Sequence, residues 1–168
     1  MLASSHCNAK ETSSFYTIAC DPWVNVIAIT EENQVVLVEQ YRHGIEGLTL
    51  EIPGGCVDVT DSDPCAAAVR ELREETGYIA DRWSFLGKNH PNPALQNNLC
   101  YTYLAEGVRL IESPQFDGSG TEKINTHLVN LSDIGSLIRD GNISHALVIT
   151  AFHFLTLERP ELSIMPRA

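Results

Sequence analysis

The order of the predicted elements indicates an α/β fold, an α/β/α sandwich built around a mixed β-sheet. Short apolar runs typical of strands dominate the first half of the chain, and helical patterns lie between the strands and after them. The 168 residues, 43% of them hydrophobic, are enough for the core of one domain. We therefore expect a single domain over residues 15–168, preceded by a mobile N-terminal tail over residues 1–14.

Strands make up the first part of the predicted domain. The second and third of them are joined by a polar turn at residues 31–34, which indicates a hairpin. The fourth leads into Pro53-Gly54-Gly55, where glycine allows backbone conformations that other residues resist. The expected strands in this part are 15–19, 24–30, 35–41 and 48–52.

A helix of about thirteen residues is expected after a loop that ends at Asp63. Asp63 can cap the helix, Pro64 suits the first helical position, and Gly77 suits the end. Val69 and Leu72 are predicted to face the sheet. Beyond the helix, we expect strands at 83–87, 99–105 and 124–131 and helices at 132–139 and 144–158.

The formal net charge of −11 argues against a nucleic-acid partner, because such surfaces are normally basic. A pyrophosphate substrate is compatible with it, provided that the protein recruits cations. Five cysteines without a CxxC pair indicate reduced thiols. The chain shows neither a signal-peptide pattern nor an apolar run of membrane-spanning length, so we expect a cytoplasmic protein without a membrane partner.

Three carboxylates are concentrated on one side of the predicted helix. At about 100° per residue, Glu71, Glu74 and Glu75 fall within about a third of the helix circumference and span about 6 Å. Like charges at this distance repel one another unless a cation lies among them, and Mg²⁺ and Mn²⁺ prefer such oxygen ligands. The alternative is a solvated acidic face with ordinary surface ion pairs.

The segment Arg70-Glu71-Leu72-Arg73-Glu74-Glu75-Thr76-Gly77-Tyr78 resembles the second half of the Nudix box, Arg-Glu-apolar-x-Glu-Glu-x-Gly-apolar. All seven typed positions match. The first half of the box departs from the family pattern: Gly55 lies fifteen residues before Arg70 instead of fourteen, and Asp61 stands where the pattern has Glu. We interpret this departure as a one-residue loop insertion around residues 60–63.

The resemblance implies the same sandwich fold and a Nudix-type pyrophosphohydrolase that uses Mg²⁺ or Mn²⁺. It makes Glu71, Glu74 and Glu75 metal ligands, together with the carbonyl of Gly54, and gives Arg70 the task of holding the carboxylates. Glu75 and Arg70 would thereby also serve catalysis. Similar proteins often form homodimers.

Outside the box, the resemblance is closest to ADP-ribose pyrophosphatases and implies substrate-binding residues. Arg42, at the end of Gln40-Tyr41-Arg42, would meet a substrate phosphate, or be a surface arginine. Glu51 would point to the same side. Pro93 would mark the ADP-ribose-directed branch, or form a rigid turn. Glu122 would be the general base, or a solvated loop glutamate.

The expected reaction is hydrolysis of the pyrophosphate bond of a small nucleotide, with ADP-ribose or a similar nucleotide sugar as the leading substrate. Two alternatives stay open: a non-catalytic domain that senses a nucleotide, and an enzyme that removes damaged nucleoside triphosphates. The histidines show no metal-ligand spacing. We expect His145 and His153 to serve packing or solvation, and Trp23 and Trp83 to belong to the core.

Overall fold

A computed structural model describes residues 2–8, 11–115 and 124–165, and in it a mixed β-sheet has helices on both faces. The predicted α/β sandwich is therefore confirmed. The described residues form eleven strands, one 3₁₀ turn and three helices. In chain order the elements are β1 (Leu2–Asn8), β2 (Glu11–Thr17), β3 (Trp23–Ile29), β4 (Gln34–Arg42), β5 (Gly47–Glu51), β6 (Gly54–Cys56), α1 (Pro64–Thr76), β7 (Tyr78–Ile79), β8 (Arg82–Asn89), β9 (Cys100–Glu106), β10 (Arg109–Leu110), β11 (Ile124–Asn130), the 3₁₀ turn (Leu131–Asp133), α2 (Ile134–Arg139) and α3 (Ala146–Glu158).

The central sheet has seven strands, and its main path runs β11-β4-β3-β9-β8. β3 pairs with β9 in parallel, with Val26 opposite Tyr103, and the other pairs are antiparallel. β5 pairs with β4, and the short β6 pairs with the start of β3. The chain that leads into α1 is therefore attached directly to the central strand.

The central strands are buried on both faces, because alternate side chains enter different clusters of the core. On β3, Val24, Val26 and Ala28 pack in the cluster that contains the buried face of α1. Ile27 and Ile29 pack on the opposite face, in the cluster that contains residues of α2 and α3. One apolar strand thus packs against α1 on one face and against the C-terminal helices on the other, and so fixes their positions relative to each other.

Helix α1 has the predicted ends. The side chain of Asp63 accepts a hydrogen bond of 2.9 Å from the Ala66 amide, and Pro64 occupies the first turn. Gly77 closes the helix at φ 74°, with its amide donating to the Arg73 carbonyl at 2.8 Å.

Among the described residues, no helix combines the length and the apolar character needed to cross a membrane.

The prediction for Val69 was wrong. Leu72 is fully buried as expected, but Val69 is 42% exposed. Ala67 and Ala68 occupy the contact face instead, and their small side chains let the helix lie close to the sheet. Val69 lies at the side of that face.

The segment that we expected to form a mobile tail contains β1 and the start of β2, which pair in an antiparallel hairpin. The strand predicted at residues 15–19 is the end of β2, which stops at Thr17. Phe15 and Tyr16 on it are largely exposed. The sequence also did not predict the three shortest strands, β6, β7 and β10.

We expect Gly77→Ala to destabilise the fold more than Gly141→Ala does. Both glycines have positive φ, 74° and 79°, but an added Cβ at Gly77 would also overlap the Glu112 carbonyl, whereas Gly141 faces open space. Backbone strain alone costs about 1 kcal/mol, and the overlap adds to it at Gly77. Urea denaturation checks this, with Gly44→Ala as the unstrained control. Equal losses at residues 77 and 141 would contradict the steric explanation.

Candidate active site

Two carboxylates of α1 lie directly against the backbone of β6. The Gly54 amide donates a hydrogen bond of 3.0 Å to Glu75 Oε2. A Cβ on Gly55 would overlap the Glu71 carboxylate, and a Cβ on Gly54 would overlap the Val24 carbonyl. Glycine at position 55 lets α1 approach β6 so closely, and glycine at position 54 lets β6 approach β3, so the Gly-Gly pair and the carboxylates form one structural unit.

Arg70 joins the elements around these carboxylates. Its Nη1 donates to Glu71 Oε1 at 2.9 Å and to Glu74 Oε2 at 3.1 Å, and its Nη2 donates to the Cys56 carbonyl at 2.9 Å. Its Nε and Nη2 form a fork to Asp61, at 3.2 and 2.9 Å. These five bonds account for the five N–H donors of a guanidinium. The bonds to the three carboxylates raise the pKa of Arg70, with those to Asp61 as the main cause.

Asp61 is the residue at which the sequence departs from the box pattern, and it accepts two hydrogen bonds from Arg70. The hydrogen bonds from Arg70 hold the pKa of Asp61 below its ordinary value, in opposition to the effect of burial. The Asp58 amide donates a further bond of 2.8 Å to Asp61 Oδ2. Asp is one methylene shorter than Glu, and here it reaches Arg70 from a loop that is one residue longer than in the box pattern.

The side chains of Glu71 and Glu74 differ in their exposure to solvent. The side chain of Glu71 is 15% exposed and that of Glu74 is 47% exposed. Burial raises the pKa of Glu71, although the neighbouring Arg70 partly offsets this effect. Within the described residues, no group of three or more His, Cys, Asp or Glu side chains is preassembled around a common metal position. The nearby donors are hard oxygens of the kind that Mg²⁺ and Mn²⁺ prefer.

A second pair of predicted residues, Arg42 and Glu51, meets at the end of β4 and β5. Arg42 Nε and Nη2 donate to the two oxygens of Glu51 at 2.8 and 2.7 Å, and Thr49 Oγ1 donates to Glu51 Oε1 at 2.5 Å. Burial alone would raise the pKa of Glu51, but the bonds from Arg42 and Thr49 lower it below its ordinary value. The carboxylate therefore orients the arginine fork.

The Arg42–Glu51 pair and the β6 segment against which the α1 carboxylates lie border one cleft of about 680 Å³. Gly54 and Gly55 line one part of it, Arg42 and Glu51 another, and the residues that begin α3 line a third. The described residues that line this cleft are 23–25, 42–45, 49, 51–52, 54–56 and 144–147. A cleft of this size is in the range of small-molecule sites.

The structure brings most of the predicted site residues together. Gly54, Arg70, Glu71, Glu74 and Glu75 lie at the junction of β6 and α1. Arg42 and Glu51 lie in the adjoining cleft.

Two predicted residues are not placed in this group. Pro93 is exposed in the loop before β9 and is not among the described residues that line the cleft. Glu122 lies outside the described residues.

Sequence analysis missed His145, Asn25 and Trp23, which all line the cleft. We expected His145 to serve packing or solvation and Trp23 to belong to the core. Both expectations overlooked that β3 and α3 begin at the same edge of the sheet. The one available signal for His145 was its place in the first turn of the helix predicted at 144–158.

Comparisons with known proteins agree with this geometry. The NUDIX domain model matches residues 21–152. The methanol dehydrogenase activator of Bacillus methanolicus is 31% identical over 138 residues, which cover 80% of this chain and 72% of that protein. The ADP-ribose pyrophosphatase of Bacillus subtilis (strain 168) is 28% identical over 135 residues, with the same coverage of 80% and 72%.

Two further proteins are similar over different extents. The ADP-ribose pyrophosphatase of Mycobacterium tuberculosis is 34% identical over 92 residues, which cover 55% of this chain and 44% of that protein. A crystal structure of an ADP compounds hydrolase superposes with a TM-score of 0.76, covering 98% of this chain and 95% of that chain. Its sequence identity is 17%, so this similarity concerns the fold alone.

We expect Asp61→Asn to destabilise the protein by about 1–3 kcal/mol at neutral pH, because a partly buried charge-assisted fork to Arg70 is lost. The pKa of Asp61 is lowered on folding, so its charge stabilises the fold above its ordinary value of 3.8 and ceases to do so as the pH falls through the folded value. The difference between wild type and variant should therefore shrink in acid. Urea denaturation across that range measures it.

The matched control is Asp58→Asn. Asp58 is 58% exposed and lies 3.5 Å from Arg70 Nη2. We expect it to change stability by less than about 1 kcal/mol. Equal losses of stability in the two variants would contradict the claim that Asp61 is the main carboxylate partner of Arg70.

Proposed function

Because the chain belongs to the Nudix family, we propose that it hydrolyses the pyrophosphate bond of ADP-ribose or a similar nucleotide sugar. It is an enzyme of the pyrophosphohydrolase class. The observation that carries the proposal is the contact of Glu71 and Glu75 with the Gly54-Gly55 backbone, at the border of a cleft that also contains Arg42. The names of the relatives from Bacillus subtilis and Mycobacterium tuberculosis support ADP-ribose as the first substrate to test.

We infer that Glu71, Glu74, Glu75 and the Gly54 carbonyl hold Mg²⁺ or Mn²⁺. Their chemistry fits such an ion, because all are oxygen donors and the burial of Glu71 favours a neighbouring cation. A bound cation would neutralise phosphate oxygens and acidify a water molecule. Arg70 contributes by fixing the carboxylates of Glu71 and Glu74 relative to β6.

In this proposal the other predicted residues act on the substrate. Arg42, oriented by Glu51, contacts a phosphate oxygen. Glu122 accepts the proton of the attacking water. Pro93 stays a predicted substrate contact, made by the loop before β9. We also propose that the protein acts as a homodimer in the cytoplasm.

The first experiment is an assay of cleavage with and without Mg²⁺ across a panel of diphosphates and triphosphates. ADP-ribose, other nucleotide sugars, dinucleoside polyphosphates, NADH and nucleoside triphosphates form the panel, and chromatography identifies the products. Metal-dependent conversion of ADP-ribose to AMP and ribose 5-phosphate supports the proposal. Turnover confined to triphosphates favours the sanitation alternative, and binding without turnover favours the nucleotide sensor.

We expect Glu75→Gln to reduce kcat by about two to three orders of magnitude, because a metal ligand contributes several kcal/mol to catalysis. Folding should remain nearly intact, since an amide can still accept the bond from Gly54. Glu32→Gln, at an exposed turn, is the control. Unchanged turnover in Glu75→Gln would remove this residue from the metal site.

We expect Glu122→Gln to reduce kcat by about 10²-fold or more and to abolish the acid limb of the pH profile, because the proton acceptor is lost. Asp117→Asn, in the same glycine-rich segment, is the matched control. Should only the control lower the rate, the base lies elsewhere in the segment.

A further inference from the structure

His145 lies directly before α3 and does not serve that helix as a cap. The backbone carbonyl of His145 accepts bonds of 3.1 Å from the amides of Val148 and Ile149, as expected at a helix start. Its side chain, however, makes no capping hydrogen bond. His145 is instead one of the residues that line the cleft, so its side chain does not have the usual task of a capping residue.

The imidazole carries a polar atom without a protein partner. Nδ1 is buried and makes no hydrogen bond, and among the described side chains only Asn98 Oδ1 shares this condition. Asn98 is not among the described residues that line the cleft. Buried polar atoms are normally paired, so an unpaired one beside a cleft indicates a partner supplied by a ligand. Because Nδ1 is buried, a ligand in the cleft reaches it only after a half-turn of the ring, which exchanges Nδ1 with Cδ2 and needs no backbone movement.

The charges around His145 indicate what kind of group it meets. Arg42 and Glu51 are the only Arg, Lys, Asp or Glu residues among the described lining of the cleft, and they neutralise each other through two bonds. Much of the remaining wall is apolar, including Trp23, Ile45 and Leu147. Apart from Arg42, which the proposed function assigns to a phosphate oxygen, this surface suits an uncharged group. The acidic helix with its cation suits the diphosphate.

We propose that His145 binds a sugar hydroxyl of the nucleoside-diphosphate substrate and so contributes to substrate specificity. The inference rests on the proposed function for the identity of the ligand. An imidazole has one nitrogen that donates and one that accepts, which matches a hydroxyl group. The hydroxyl comes from the ribose of the nucleoside or from the terminal sugar, and the experiment separates these sources.

The test compares His145→Phe with His153→Phe, an exposed position on α3. We expect His145→Phe to raise KM for ADP-ribose about tenfold with kcat within about twofold, as for one lost hydrogen bond. The melting temperature should not fall, because an unpaired buried nitrogen is removed. His145→Gln, which keeps hydrogen-bonding groups, should recover part of the loss.

Calorimetric binding of ADP and ADP-ribose identifies the sugar. An equal loss of affinity for both ligands in His145→Phe assigns the hydroxyl to the nucleoside ribose, and a loss for ADP-ribose alone assigns it to the terminal sugar. Unchanged KM and affinities, or equal effects in His153→Phe, overturn the inference. If His145→Phe does not fold, the same comparison of His145→Leu, which also lacks hydrogen-bonding groups, with wild type decides.

The binding arm also separates this inference from the proposed function. If the wild type hydrolyses none of the panel but His145→Phe binds the ligands more weakly than the wild type does, the proposed function is refuted and the His145 contact is kept. Turnover of ADP-ribose with an unchanged KM in His145→Phe would keep the function and refute the contact. A wild type that binds neither ligand refutes both.

Discussion

The guanidinium of Arg70 is the interaction on which the site depends. Its donors reach a loop carboxylate, the backbone of β6 and two carboxylates of its own helix. Without this cation, Glu71, Glu74 and Asp61 would lie together as uncompensated like charges, and the helix could not rest so close to Gly54-Gly55. The same contacts that relieve repulsion also fix where each carboxylate lies.

The cleft and the acidic helix divide the proposed recognition between them. On the helix side, carboxylates outnumber the single arginine, so this region attracts cations and, through them, phosphate. On the cleft side, Arg42, which is proposed to meet a phosphate oxygen, is paired with Glu51, and the rest of the described wall carries no Arg, Lys, Asp or Glu. Uncharged parts of a nucleotide sugar can therefore lie there without loss of a strong ionic interaction. The two regions meet at β6, where a substrate that joins both kinds of group would lie.

Local sequence signals predicted the parts of the fold that depend on local physics. The caps of α1 at Asp63 and Gly77 were correct because capping bonds join residues only three or four positions apart. The central strands β3, β4 and β9 were correct because burial on both faces leaves continuous apolar runs, whereas β1 was not predicted. Val69 and the shortest strands were wrong or missed, because their state depends on which partner segment lies beside them.

The sequence by itself determined that three carboxylates and an arginine share one helix, because helical periodicity fixes their relation. It also determined the family, since the spacing of these residue types is specific. Only the tertiary structure decided that Asp61 reaches Arg70, that Glu51 orients Arg42, and that His145 enters the same cleft. These contacts join different elements of the fold, and for His145 they join segments that are far apart along the chain. The pairing of β4 with β5 and of β3 with β6 brings the elements together.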